Sequence, residues 1–279
     1  MQPAERAVVV TGASSGIGEA CALHLAARGF RVFAGVRTKD AAENLRRHGH
    51  ATLTPLHIDV RDAASIDAAA GTVASATSGR LFGLVNNAGI AVAAPLEFLP
   101  LDLLREQLEV NVIGQLAVTQ AMLPMLRADR GRIVNMGSVS GRVSMPFLGP
   151  YAMSKFALEA ISDALRVELR AWGIHVAVIE PGVIETPIWK RSLAAADTML
   201  ARLPKAAHDL YGPTMDTMRS LVIKLRGSPV DTVVKAVLHA LTARRPKARY
   251  LVGRDARARV LLDRLPWRVR DRIIQNDMG

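Results

Sequence analysis

The sequence predicts a single α/β domain built on a doubly wound parallel sheet with helices on both faces. Three observations carry this expectation. Short, near-continuous apolar runs alternate with helix-period stretches, the pattern of strands covered on both sides and therefore lacking a polar face. Most of those runs end in Gly, Asn, Asp or Ser, so the polar punctuation collects at one edge of the sheet. No internal repeat or low-complexity linker interrupts the alternation, and 279 residues, half of them hydrophobic, suffice for one large core. Aromatics make up only 4%, so Val, Leu, Ile and Ala must fill it.

The first strand, Val8-Val9-Val10, runs into Thr11-Gly12-Ala13-Ser14-Ser15-Gly16-Ile17-Gly18, and a helical stretch continues from Glu19. Glycines suit a turn where the backbone bends sharply and a large ligand approaches closely. The N–H groups and positive dipole of the helix start suit an anion, most simply a pyrophosphate. The spacing Gly-xxx-Gly-x-Gly departs from the commoner Gly-x-Gly-x-x-Gly, so the dinucleotide fingerprint is met loosely. The helix stops at Gly29. Strand two is read at 31–37, a helix at 39–48, and strand three at 52–58, closing on Asp59-Val60. A helix follows at 63–77, then strand four at 81–85, ending in Asn86-Asn87-Ala88-Gly89. One long helix, about 101–127, carries Asn111 in its middle. Strand five is 132–136, a loop reaches Pro150, a helix spans 151–172, and strand six, 175–179, ends at Pro181-Gly182.

From Ile188 to Gly227 the pattern loosens, with Trp189, Met199, Tyr211, Met215 and Met218 scattered around Pro204 and Pro213. A lid over an apolar substrate fits this composition, as does a surface insertion with its own small core. Ser228-Pro229 should then cap a helix over 230–243, and 250–252 reads as the last strand. The expected organisation is one α/β domain over 1–253, including a lid at 187–227, followed by a basic amphipathic extension at 254–279.

The formal charge of +11 is concentrated near the end of the chain, where residues 244–272 hold eleven cations against three aspartates. Within it Val260, Leu261, Leu262, Leu265, Trp267, Val269, Ile273 and Ile274 interleave with arginines. Such a helix could rest peripherally on an anionic membrane or dock on the domain with a solvated basic face. No nucleic-acid-binding module is recognisable, so nucleic acid is not expected as a partner. One cysteine, Cys21, excludes an internal disulfide and reads as a core thiol, and the seven histidines show no metal-ligand spacing. No run reaches 18 unbroken apolar residues, and a first strand by about Ala7 leaves no room for a signal peptide. A reducing, cytoplasmic setting is expected.

Ligands of open parallel sheets sit beyond the carboxyl ends of the strands. Tyr151 and Lys155, four apart at a helix start, project from one face there, and Ser138 lies at the end of the neighbouring strand. A phenol titrates near 10, and acid–base work near neutrality needs help of about 4 kcal/mol for the phenolate. An ammonium one turn along is the simplest source. Ser138 can donate to a carbonyl or alkoxide oxygen where charge develops.

Taken together, these residues resemble the classical short-chain dehydrogenases/reductases over residues 7 to about 187. Thr11–Gly18 looks like that family's cofactor loop and Asn86–Gly89 like its second signature. Asn111, Ser138, Tyr151 and Lys155 match its catalytic tetrad, and Pro181-Gly182-Val183 through Thr186 matches the segment flanking the nicotinamide. The resemblance implies a Rossmann fold and hydride transfer between a nicotinamide and a carbonyl or secondary alcohol. It implies that Tyr151 exchanges the proton, that Lys155 lowers the phenol's pKa and holds the ribose, and that Asn111 anchors a water relay. It also implies cofactor contacts from Gly12, Ser14, Ser15, Gly16, Ile17, Gly18, Asp59, Val60, Asn87, Ala88 and Gly89, with Asp59-Val60 beside the adenine. Homodimers or homotetramers pairing through 101–127 and 151–172 are a further implication.

The cofactor can be argued from charge. An NAD site usually places an acid about 20 residues beyond the glycines. No acid lies between Glu19 and Asp40, whereas Arg37 follows Val36 at the expected place, with Lys39 close by. A 2′-phosphate would meet a cation there, so NADP(H) is favoured over NAD(H). Val143, Met145, Phe147, Leu148, Ile188, Trp189 and the Met-bearing insert suggest an apolar pocket. Phe156–Glu159, the long lid and the extended C-terminus are similar to the retinol and 17β-hydroxysteroid dehydrogenase branch, implying as substrate a small molecule that is a bulky lipophilic alcohol or ketone, steroid- or retinoid-like. A 3-oxoacyl thioester is the alternative substrate, and an NADP(H)-binding sensor or scaffold without turnover is the alternative of another class.

Overall fold

The computed structural model describes residues 6–185, 203–224 and 227–276. Seven parallel strands form the central sheet in the order β3-β2-β1-β4-β5-β6-β9. These are β1 Ala7–Val10, β2 Arg31–Val36, β3 Leu53–His57, β4 Gly83–Asn86, β5 Arg132–Met136, β6 His175–Pro181 and β9 Arg249–Val252. The order reverses at β1, with β2 and β3 on one side and β4 to β6 on the other, so the crevice of a doubly wound sheet opens beyond β1. A two-stranded parallel ribbon, β7 Ile184–Glu185 with β8 Ser228–Pro229, lies apart from the main sheet.

Strand side chains alternate between two cores. Val8 and Val10 pack into one, with Leu25, Val237 and Leu241 from α1 Gly16–Ala27 and α8 Val230–Thr242. Ala7 and Val9 face the other, with Val73, Val118, Met122 and Leu126 from α3 Ala63–Thr77 and α5 Gly114–Asp129. Because both faces are covered, the four residues of β1 are all buried, which is why the strand reads as an unbroken apolar run. Cys21 lies within the first core, and burial pushes its thiol up to about 12.

Several expectations are corrected. Strand four starts at Gly83 rather than Leu81, and strand six runs on to Pro181. The single helix over 101–127 is instead α4 Leu101–Leu108, a π turn at Glu109–Ile113, and α5. Gly114, just past the π turn, packs tightly on the chain after β3, since a Cβ there would strike the carbonyl oxygen of Val60. Ser228-Pro229 does not cap the next helix through a side chain; it pairs with β7. Part of the loosely patterned insert is a regular helix, α7 Lys205–Lys224, with Pro213 inside it. Ile188, Trp189 and Met199 lie outside the described residues.

The basic tail forms α9 Arg254–Asp263 and α10 Trp267–Asn276, after α2 Lys39–Arg47 and α6 Gly149–Glu168 complete the helices of the sheet. Ala256 and Ile274 are buried, so both tail helices dock on the domain, while Leu261 and Trp267 remain more than 60% exposed. Among the described residues no helix is long and apolar enough to cross a membrane.

Candidate active site

The glycine loop is held from β4. Thr11 Oγ1 accepts the backbone N–H groups of both Asn87 and Ala88, each at 3.0 Å. Asn87 Nδ2 returns the contact, donating to the carbonyl oxygens of Thr11 and Gly12 at 3.0 and 3.1 Å. This close packing leaves no room for side chains. Gly12 has φ +65°, and a Cβ on it would lie 2.7 Å from Ala88 Cα. A Cβ on Gly18 would collide with the Gly12 carbonyl and the Asn87 amide. No side chain caps the start of α1, and Ser14 stands exposed beside it. A shallow backbone cradle at a helix N-terminus is the geometry that receives a pyrophosphate, so the residues present fit a dinucleotide.

Of the other residues picked out for the cofactor, Arg37 is exposed at the end of β2. Asp59 spends its carboxylate on Arg61, accepting from its backbone N–H at 3.0 Å and from Nη2 at 2.9 Å; these bonds hold its pKa down at about 2. Val60 is buried in the second core. Gly89 is exposed above Asn111, whose Oδ1 a Cβ on Gly89 would approach to 3.3 Å. The Val183 N–H donates to Asp255 Oδ2 at 2.9 Å, so this main-chain donor is engaged within the chain. Thr186 lies outside the described residues.

Ser138, Tyr151 and Lys155 lie together where the chain leaves β5 and α6 begins, with Asn111 on the π turn bonded to Ser154 of α6. Ser138, two residues past the end of β5, is extended, and its Oγ accepts from Ser140 N at 3.1 Å. The neighbouring Ser138 hydroxyl draws the Tyr151 phenol's pKa down; burial outweighs that and raises it overall. Lys155 is buried, donates from Nζ to Met136 O at 2.7 Å, and lies 5.6 Å from the centre of the Tyr151 ring. Burial pushes this ammonium down to about 8, while the carboxylate of Glu159 one turn on opposes the drop. Here the direct partner of the ammonium is a carbonyl, and desolvation sets the direction in which the tyrosine shifts. Asn111 sits in the π turn, accepting from Ile90 N at 2.8 Å and donating to Ile90 O at 2.9 Å and to Ser154 Oγ at 3.0 Å.

Sequence reasoning missed a charged cluster directly behind Lys155. Arg249 on β9 reaches Glu159 Oε2 at 2.9 Å, Asp163 Oδ2 at 2.6 Å and Glu180 Oε1 at 3.4 Å, and Arg142 reaches Glu180 at 3.3 Å. Burial and the neighbouring Glu180 raise Glu159 to about 7, and its Oε1 has no hydrogen-bond partner. The only signal in the sequence was Glu159 falling four residues beyond Lys155.

Residues 6–197 match the family model described as short chain dehydrogenase. The chain belongs to the short-chain dehydrogenases. This makes it an NAD(P)-dependent oxidoreductase acting on CH–OH groups, and it assigns the Rossmann-type sheet. Human retinol dehydrogenase 5 is 41% identical over 267 residues, spanning 91% of this chain and 83% of the relative. A short-chain dehydrogenase from Streptomyces avermitilis superposes with TM-score 0.79 at 28% identity, covering 99% of this chain and 97% of the other. One from Burkholderia cenocepacia, solved in complex with NADP, gives 0.72 at 25% identity and 92% coverage of both chains.

Aromatic and aliphatic groups gather beside the start of α6. Phe147 takes φ +65°, an uncommon conformation for a bulky side chain, and its carbonyl accepts from Ala94 N at 2.9 Å. Its ring meets Tyr211 of α7 edge-on at 6.2 Å, and Phe98 meets the same tyrosine at 6.0 Å. A cavity of about 330 Å³ is bounded by Leu96, Met145, Phe147 and Gly149 and, from α10, by Asp271 and Ile274. The tail thus forms one wall of a cavity beside the start of α6, which its composition did not reveal. A second cavity, about 290 Å³, lies by Gly173, His175 and Pro246 at the opposite end of β6 and touches none of the candidate residues. Among the described residues no group of three metal-ligating side chains occurs.

Proposed function

We propose that this dehydrogenase is NADP(H)-dependent and interconverts a carbonyl and a secondary alcohol on a bulky lipophilic substrate, with Tyr151 as the proton-exchanging group. The observation that carries the reading is the convergence of Ser138, Tyr151 and Lys155 at the carboxyl end of β5, beside a glycine cradle that side chains would fill. When bound, the nicotinamide supplies or accepts a hydride. The chain does the rest. Gly12, Ser14, Ser15, Gly16, Ile17 and Gly18 seat the pyrophosphate, with Asn87, Ala88 and Gly89 alongside. Asp59 and Val60 flank the adenine, and Pro181-Gly182 through Thr186 borders the nicotinamide.

Tyr151, raised by burial and therefore protonated at neutral pH, donates its proton to the substrate oxygen in reduction and accepts one in oxidation. Ser138, beside the phenol, orients that oxygen. Lys155 keeps two donors beyond the one given to Met136 and holds the ribose; its charge stabilises the phenolate once the proton has left. Asn111 anchors the backbone at Ile90 behind them.

Arg37, exposed at the tip of β2 with no acid between Glu19 and Asp40, supports the 2′-phosphate. The neighbour solved with NADP agrees with that preference. The retinol dehydrogenase relative and the Phe98–Tyr211–Phe147 wall support a lipophilic substrate. Exposed Leu101, Ile113, Met153, Phe156, Val167 and Trp172 lie on the segments expected to pair, which supports a homo-oligomer. Leu261, Trp267 and Val269 remain exposed among arginines, so peripheral contact with an anionic membrane is a second role for the tail.

The test is spectrophotometric. KM for NADPH and NADH is measured with a panel of steroid, retinoid and 3-oxoacyl-thioester substrates. Preference for NADPH with a steroid or retinoid supports the reading; strong preference for NADH, or turnover of the thioester alone, overturns the corresponding part of it.

A further inference from the structure

The loop leaving β6 is held by three separate pieces of the C-terminal part of the chain. Gly182 N donates to Val252 O at 2.8 Å, and Ser228 N donates to Val183 O at 2.8 Å. Both are main-chain contacts that any residue could supply. The third is specific: Val183 N donates to the carboxylate of Asp255 at 2.9 Å, across 72 residues of sequence. Asp255 opens the first turn of α9, and its carboxylate lies flat against the loop. A Cβ on Gly182 would collide with it, and one on Gly253, where φ is +113°, would come within 2.9 Å of Oδ1. Two glycines therefore make room for a single carboxylate. Among the described residues the nearest cation, Arg259 Nε, stands 3.9 Å away, too far for a close ion pair, so the amide is the carboxylate's short contact. A hydrogen bond from an amide to a charged acceptor is among the stronger ones a chain can make.

We infer that Asp255 is a positioning residue for the nicotinamide-bordering loop, tying Gly182 and Val183 to the tail so that the peptide planes which follow present one fixed surface to the nicotinamide half of the cofactor. The inference rests on the proposed reading of that loop. It gives the basic tail a role in cofactor geometry that does not depend on any membrane. Asp255 touches neither substrate nor reacting atoms; it acts through Val183.

The test uses the full-length protein and two probes, NADPH and 2′,5′-ADP; the latter carries the adenine half and does not reach the nicotinamide loop. NADPH binding is followed by its nicotinamide fluorescence, and 2′,5′-ADP by calorimetry, for the wild type, Asp255→Ala and Asp255→Asn. Asp255→Ala is expected to weaken NADPH about tenfold while 2′,5′-ADP changes less than about twofold. Asp255→Asn, which keeps an acceptor for Val183 N, should recover most of the loss. Equal weakening of both probes, or unchanged NADPH binding in Asp255→Ala, would overturn the inference while leaving the cofactor reading intact. A wild type that binds neither probe would overturn the NADP(H) reading and the inference with it.

Discussion

The buried carboxylate behind Lys155 makes the stability of this protein depend on pH in a direction that can be worked out. Glu159 faces Lys155 and Asp163 on its own helix, Glu180 on β6, Arg249 on β9 and Arg142 beyond β5. Burial and Glu180 together raise it from 4.5 to about 7 despite the two arginines. The folded protein therefore holds this proton more tightly than the unfolded chain does. Its contribution to stability is fully present below about pH 4.5 and is lost as pH rises through about 7. At about 1.4 kcal/mol per pKa unit the ceiling is about 3 kcal/mol. Arg249, about a third exposed, lets solvent screen the cluster, so about half of that is expected to be seen.

Glu159→Gln mimics the protonated carboxyl and removes the titration. Its lost bond to Arg249 adds a constant offset, so only the change with pH matters. Urea unfolding of both proteins at pH 5 and pH 8.5 should show the variant gaining about 1 to 1.5 kcal/mol on the wild type as pH rises. Parallel stability profiles would refute the argument, because they would mean that Glu159 already ionises in the folded state as it does in the unfolded one.

Thr11→Val keeps the shape of the brace between β1 and β4 but orphans the N–H groups of Asn87 and Ala88, and should cost about 2 to 4 kcal/mol in urea unfolding, with a loss below about 0.5 kcal/mol contradicting the role given to the hydroxyl. Arg37→Glu should raise KM for NADPH at least about tenfold and leave that for NADH within about twofold, a change read directly in steady-state kinetics. An equal rise for both cofactors would remove Arg37 from the 2′-phosphate site.

Much of the fold was legible because parallel strands buried on both faces leave a plain signature, and β1, β5 and the helix at 63–77 lie where the apolar runs and helix periods place them. What escaped depends on contacts between distant segments. The π turn around Asn111 satisfies the backbone of Ile90, 21 residues away, and nothing in the local periodicity marks it. The helix at 205–224 looked irregular because Pro213 and scattered methionines blurred its period, yet Tyr211 packs it against Phe98 and Phe147. Asp255 and Arg249 meet their partners 72 and 90 residues away, so each read as one more charge in a basic tail. The candidate active-site residues were visible because motif spacing is local: Tyr151 and Lys155 share a helix face, and Ser138 follows two residues after the strand just before it.

The most direct test of the account is Tyr151→Phe, which removes one hydroxyl and leaves the ring packed beside Lys155. Dinucleotide binding should stay within about twofold of the wild type while single-turnover hydride transfer falls about a thousandfold. Transfer at a rate close to that of the wild type would contradict the claim that this phenol carries the proton.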